Sequence, residues 1–498
     1  VIPEASIASA RGTRVLALAR INARLGTGGI SGLAGNLLAG GEGLPSINGR
    51  IAQERGGGWT ARLAMADYAA GENRLAIPRL TLRSAAGGAL AFEGLVKTSG
   101  DLPGGGVSDL ILPLDGTWSQ GAGLAVGRAC TPIRFGRLAL SGLKLAGQQI
   151  TLCPEGGAPI LTYGRDLRFA ARTGAITLDG TLGDSPASLA ATGAVLRYPQ
   201  PFKVEGIAAR IGEGTSEVRL SAASFTGQFG EAIAGDFAGG SARHAAVPFD
   251  LDAIAGGWSF ADGALSLSGA SFILTDRPGP DNPEARFTPL STEGASLRLA
   301  DNRITAEAAL RHRESGRAVA NVTITHDLNA ATGSARLSVP ALVFDKRFQP
   351  EDLTYLAKGV IALADGTVTG TGRIDWNGDK LTSSGTFGTK GLDFAAAFGP
   401  VRGLAGEVAF TDLLNLTTAP DQRVTVAAIN PGVEVLAGTV QFEVRDGTVL
   451  SVEDARFPFM GGTLAMRPLV MDFGKSEERR YVFEIAGLDA AKFVAQME

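Results

Sequence analysis

The chain has 498 residues, a formal net charge of −4 and 19% charged side chains, which excludes the basic face of a nucleic-acid binder. Glycine is the outlier at 69 residues, about twice the usual share. So little charge on so long a chain implies either much buried surface or apolar surface left open.

No window approaches the ~18 consecutive apolar residues of a membrane-spanning helix. The sequence begins Val-Ile-Pro and is expected to be a fragment whose export signal or anchor lies outside it. From Thr13 to Leu25, the residues Leu16, Ala19 and Ala23 recur at helical spacing, and a helix is expected. Ser99–Asp109, "SGDLPGGGVSD", reads as a linker. Cys130 and Cys153 each adjoin strand-like sequence. A disulfide between them would close a loop of about two dozen residues, worth roughly 3 kcal/mol, and would favour an oxidising compartment. Two reduced, buried thiols are the alternative.

Period-two alternation then dominates, in "EVRLSAASF", "GALSLSGASFIL", "ARLSVPALVF" and "GEVAFTDL". Thr275–Arg286, with three prolines, is a second linker. Ser296–Leu310 puts Leu297 and Leu299, then Ile304, Ala306, Ala308 and Leu310, on one face about an Asp301-Asn302 turn. In "GRIDWNGDKLTSSGTF" the Asn377-Gly378 pair is the strongest hairpin signal. Gln349–Gly359 is a short helix with Pro350 at its first position and Gly359 as its stop. Asn430-Pro431-Gly432 opens another alternating run, "RRYVFEI" ends the series, and "KSEERR" is a polar turn. A last helix is expected from Asp489. The composite is all-β with a few short helices. Three softly bounded segments, 1–108, 109–274 and 275–498, share one composition and belong to one continuous body.

Reactive chemistry is sparse. His244, His312 and His326 are isolated, lack metal-ligand spacing, and are expected to be unreactive; His326 is placed at a surface or strand edge. No nucleophile elbow is present. "FGKS" has Leu469 where a phosphate loop needs its first glycine. Asp375, Asn377 and Asp379 begin like a calcium loop, but Lys380 and Thr386 occupy its glycine and glutamate positions. No cofactor or metal is expected. Asp276, Asp281 and Glu284 leave open a carbohydrate-active enzyme on a β-scaffold. A row of strands with one aliphatic face makes either a closed core or an apolar groove, and alternation alone does not choose.

Gly359–Gln422, with "GLAGEVAFTDL", followed by "INPG" and "PFMGGTL", resembles the YdbH-like proteins of the AsmA superfamily. Tyr68–Leu80, Ala255–Gly269 and Phe287–Ile304 extend the resemblance over most of the chain; Ala357–Leu469 carries it most specifically. The resemblance implies an elongated, curved antiparallel sheet forming an apolar-lined groove. Such a protein is expected in the periplasm as a non-enzymatic, passive carrier of phospholipids between inner and outer membranes. It would be anchored in the inner membrane by an N-terminal helix absent from this chain, and could meet an outer-membrane protein at its C-terminal end. Acyl chains would be its ligands. The expected lining is Leu404, Val408, Phe410, Val440, Phe442, Val444, Leu450, Val452, Leu464, Met466, Tyr481, Phe483 and Ile485, with apolar taken to mean inside. A structural or adhesive β-sandwich or solenoid without a lipid ligand is the alternative.

Overall fold

The computed structural model describes residues 2–491 apart from 9–13, 27–28, 42, 55–57, 86–87, 103, 141, 279–284, 379, 397, 431–433, 474–479 and 490. Within them a single sheet of 35 strands runs from Ile2–Ala8 to Phe483–Ala486. Neighbouring strands pair antiparallel throughout, mostly as successive hairpins. Many are long: Gly105–Ser119 spans 15 residues, and Ile361–Asn377 and Lys380–Ala396 span 17 each.

Long strands bend here because they carry bulges. Residues in the left-handed region interrupt strands at Arg20, Asp109, Ala253, Leu363 and Ala437, and glycines do so at Gly239 and Gly403. The ladder slips at these places, as between Leu392 and Phe394 opposite Gly403. An extra residue bends its strand and increases its twist. Repeated from strand to strand, it curves a sheet that would otherwise lie flat.

The expected helix from Thr13 to Leu25 is instead the strand Arg14–Gly26. Its alanines favour helix locally. Pairing on both sides overrides that preference: Leu18 lies opposite Ala5 on one neighbour and Leu37 on the other. The linker expected at Ser99–Asp109 is the tip of a hairpin, with Leu102 opposite Gly105. Asp301-Asn302 is the expected two-residue turn, both residues at positive φ. The Asn377-Gly378 hairpin forms one position later, because Asn377 itself pairs with Lys380. Pro350–Leu353 is a single helical turn capped by Gln349, followed by a 3-10 turn at Tyr355–Ala357. The terminal helix, the "KSEERR" turn and the centre of the Asn430-Pro431-Gly432 turn fall largely outside the described residues.

One branch of the ladder lies in the middle of the sheet. Leu143–Pro154 pairs with Ile176–Leu182 through its first residues and with Leu167–Thr173 through its last. Cys130 and Cys153 are bonded at this fork, with Cα atoms 3.9 Å apart. Leu152, Ile160 and Ala171 form a small core beside it.

Candidate functional site

The pairing register allows one face of the sheet to be followed from strand to strand, since directly opposed residues point the same way. In the first eight strands the row is Ala5, Leu18, Leu37, Gly49, Leu63, Leu80, Gly94, Leu114. The row behind it is Ala19, Asn36, Arg50, Arg62, Thr81, Glu93, Asp115. The middle of the sheet repeats the contrast. Trp258, Leu267, Leu297, Ala306, Ile324, Ala335 and Ile374 are backed by Ser259, Ser266, Arg298, Thr305, Thr325, Ser334 and Asp375. Toward the C-terminus the row is Gly406, Val424, Val440, Ala455, Met466, Phe483. An apolar face thus runs through each of these three stretches. Leu18, Leu37, Leu63, Leu80 and Leu114 are only half-buried.

Glycine has a second role on this face, beyond marking turns. A Cβ at Gly438 would overlap the ring of Phe457, one at Gly370 the ring of Phe387, and one at Gly333 the indole of Trp376. Large rings lie flat over neighbouring glycines, which keeps the lining smooth and the sheet curved. The high glycine count already signalled this, but in the sequence the signal merges with the turn glycines.

The thirteen expected lining residues divide by depth. Val452 and Leu464 are buried in a packed cluster with Val401, Val426, Val435, Ala455, Phe457 and Met471. Leu404, Val440, Leu450, Met466 and Tyr481 pack against that cluster half-buried. Val408 lies opposite Phe387, and Phe410 meets the same ring edge-on at 6.0 Å. Phe442 and Val444 stand opposite Val452 and Leu450. Phe483 and Ile485, 41% and 51% exposed, occupy the last strand opposite Met466 and Leu464.

Alternation of strand direction defines two rims, one at each end of the strands, and in the middle of the sheet they meet. Gly183, in a turn on one rim, donates to Gly142 O on the same rim at 3.0 Å. A Cβ on Gly142 would run into the Asn302 amide, and one on Gly183 would lie 3.1 Å from Leu328 O; both partners are turns of the opposite rim. Farther on, Arg286 Nη1 donates to Leu414 O at 3.0 Å, again rim to rim. Arg286 also holds Asp276, whose side chain is fully buried, through Nη2 and its backbone N–H. Burial alone would raise the Asp276 carboxyl, but the hydrogen bonds and charge of Arg286 hold it below the usual carboxylate range. Thr354 Oγ1 donates to Arg286 O, and Thr288 N–H donates to Leu353 O at 3.0 Å. The helical turn is therefore tied into the same closure, over a core that includes the fully buried Phe348.

All three histidines lie on the apolar face of this middle section. His244 stands two positions along its strand from Ala242, which faces Leu251. His312 is opposite Leu290 and packs on Phe348 at 5.1 Å. His326 is opposite Ile304 and Gly333. The surface position expected for His326 is corrected, because Trp376 Nε1 donates to its Nδ1 at 3.0 Å and half-buries it. Burial lowers the imidazole of His326. It also lowers that of His244, with the neighbouring charges of His326 and Arg277 adding to the effect. Sequence spacing could not reveal this gathering, since the three sit on strands joined only by register.

Asp276, one of three candidate carboxylates for hydrolysis, is locked to Arg286; Asp281 and Glu284 lie outside the described residues. Among the described residues no helix is long and apolar enough to cross a membrane. No curated protein and no solved structure matches the chain. The model of one family does, under the description YdbH-like, intermembrane phospholipid transport protein YdbH, and it matches residues 7–498. With that match over nearly the whole length of an all-antiparallel sheet, the chain belongs to the YdbH-like family of intermembrane phospholipid transport proteins.

Proposed function

We propose that the apolar face is a track on which phospholipid acyl chains move passively between the two membranes of a Gram-negative envelope. The observations that carry this are three register-linked apolar rows, Ala5 to Leu114, Trp258 to Ile374 and Gly406 to Phe483, the first two backed by polar rows. Each methylene laid against it gains about 0.8 kcal/mol over water. Strands spaced about 4.8 Å apart offer similar successive positions, so no single position holds the lipid. The chain carries no nucleotide-binding motif, so direction would come from outside it. An inner-membrane anchor preceding this chain and a partner at the outer membrane complete the route, and the Cys130–Cys153 bond suits the periplasm.

A ligand-free β-body would need its apolar face covered by protein. Half-burial of Leu37, Leu63 and Leu80 speaks against that. The test is photocrosslinking in lipid-loaded protein, with a photoreactive residue at Leu63 or Phe442 and controls at Arg62 and Glu443. Lipid adducts are expected at the first two positions only. Equal labelling of lining and control positions sinks the proposal.

A further inference from the structure

Where the rims stay apart, a headgroup can remain in water while the acyl chains lie on the face. Where they meet, between the Gly142 and Leu414 turns, that outside path is interrupted. The lining changes character in the same stretch. Here it includes three imidazoles, His244, His312 and His326, and the buried hydroxyl of Thr292.

Two of these groups have hydrogen-bonding capacity that the described residues do not use. Thr292 is 2% exposed, lies opposite Phe272 on the lining face, and its hydroxyl has no hydrogen-bond partner. A buried, unpartnered hydroxyl is destabilising, so a ligand oxygen arriving there relieves a cost the empty protein bears. His244 accepts a hydrogen bond at Nδ1 from Ala246 N–H at 3.2 Å. Its neutral ring therefore carries its proton on Nε2, for which the described residues supply no partner. The strands of His244 and Thr292 are three apart, roughly 14 Å at the usual spacing. Both are neutral donors, which bind a phosphate oxygen without the grip of a guanidinium. The guanidinium beside His244, that of Arg277, donates through Nη2 to the His244 and Val247 carbonyls, and Arg286 is committed to Asp276.

Building on the carrier function proposed above, we propose that the middle section is a headgroup passage. The phosphate-bearing headgroup of a glycerophospholipid travels inside the closed stretch, and His244 Nε2–H and the Thr292 hydroxyl are its successive hydrogen-bond donors.

The experiment uses the whole chain loaded with phospholipid bearing a photoreactive group either on the headgroup or at an acyl terminus, with and without a water-soluble carbene scavenger. Headgroup adducts are expected in Ile233–His244 and Leu290–Ala300 that the scavenger does not suppress, while headgroup adducts in Trp59–Ala70 are suppressed. If all headgroup adducts are suppressed while acyl adducts at the lining persist, the headgroup stays in water and the passage is overturned, with the carrier function intact. If acyl adducts are missing as well, the carrier function itself fails.

Thr292→Val removes only the hydroxyl at constant shape. It should slow phospholipid transfer between vesicles about threefold to tenfold, the worth of one hydrogen bond, and leave diacylglycerol transfer unchanged. Equal slowing of both lipids, or of neither, removes Thr292 from the passage. Glycerol phosphate should not compete; if it does, this is a free-phosphate site and the proposal falls.

Discussion

The strands Leu44–Gln53 to Gly105–Ser119 and the strands Val435–Arg445 to Leu469–Asp472 carry the same alternation, yet they end in different states. In the first group Leu63, Leu80, Leu82 and Leu114 are half-buried, while Thr60, Ala61, Met65 and Ala76 are buried. In the second, Val452, Ala455, Phe457 and Met471 are 2–7% exposed. Alternation decides which face is apolar; it does not decide what covers that face. At the C-terminal end Phe394 and Phe398 from an earlier hairpin, and Leu469 and Tyr481 from later sequence, pack over the row. Among the described residues no such cluster forms over the first strands. One sequence code thus leaves the apolar row half-buried at one end and packs other side chains over it at the other.

The largest expected effect comes from placing the same charge in both regions. Val452→Asp buries an unpaired carboxylate in the packed end and should cost about 3–5 kcal/mol. Leu63→Asp, where water already reaches, should cost about 1 kcal/mol. Chemical denaturation gives both values, and vesicle transfer gives a second axis. Leu63→Asp should stop lipid passage in a folded protein. Equal destabilisation by the two substitutions would erase the distinction between the open and the covered row.

The closed middle has its own weak point. Arg286→Met leaves the fully buried Asp276 carboxylate without its partner, a loss of about 3 kcal/mol. Proteolysis at the Leu414 turn, which Arg286 holds, should accelerate. Acid reports the same pair. Because the folded Asp276 carboxyl is held low, its contribution is present above the unfolded value of about 3.9. That contribution is lost as pH falls through the lower folded value. Asp276→Asn should therefore flatten the acid limb of the stability curve and leave neutral-pH slopes unchanged.

How much of this was legible in the sequence follows from range. The all-β class, the Asp301-Asn302 turn and the Pro350 helical turn are set by neighbours in the chain, and the sequence displays them. The alanine-rich strand Arg14–Gly26 was not legible, because its state depends on partners on both sides. Lining residues could be sorted by face, but not by depth: nothing local in "SVEDARF" says that Val452 belongs to a cluster on which Phe394 and Tyr481 pack, while Leu63 stays half-buried. The meeting of the rims was least visible. It depends on twist accumulated over many strands, which brings Arg286 to Leu414 across 128 residues.

Glycine substitutions probe the same contrast with a smaller effect. Gly438→Ala drives a methyl into the ring of Phe457, which is 4% exposed and fixed by its neighbours. Overpacking should cost about 1–3 kcal/mol. Gly71→Ala, in a turn where an added Cβ meets nothing, suffers only the strain of its positive φ and should cost about 1 kcal/mol. Thermal unfolding of the pair separates a glycine needed for space from one needed for conformation. Gly438→Ala costing no more than Gly71→Ala would show that the ring moves aside, and the end would be looser than its burial implies.

The smallest effect is expected on the back of the sheet. Arg373 and Asp375 form an exposed ion pair at 2.5 Å, with side chains 44% and 42% exposed. Exposed pairs of this kind are screened by salt and contribute little. Arg373→Gln should leave both the unfolding midpoint and the rate of lipid transfer within experimental error. Ile374→Gln, one residue on and facing the lining, is 9% exposed and should lower both. Adjacent residues pointing to opposite faces then give opposite answers, which is the behaviour a two-faced sheet requires and a uniformly buried core does not. If Arg373→Gln impeded transfer as strongly as Ile374→Gln, lipid would be travelling on the polar side, and the assignment of faces would have to be reversed.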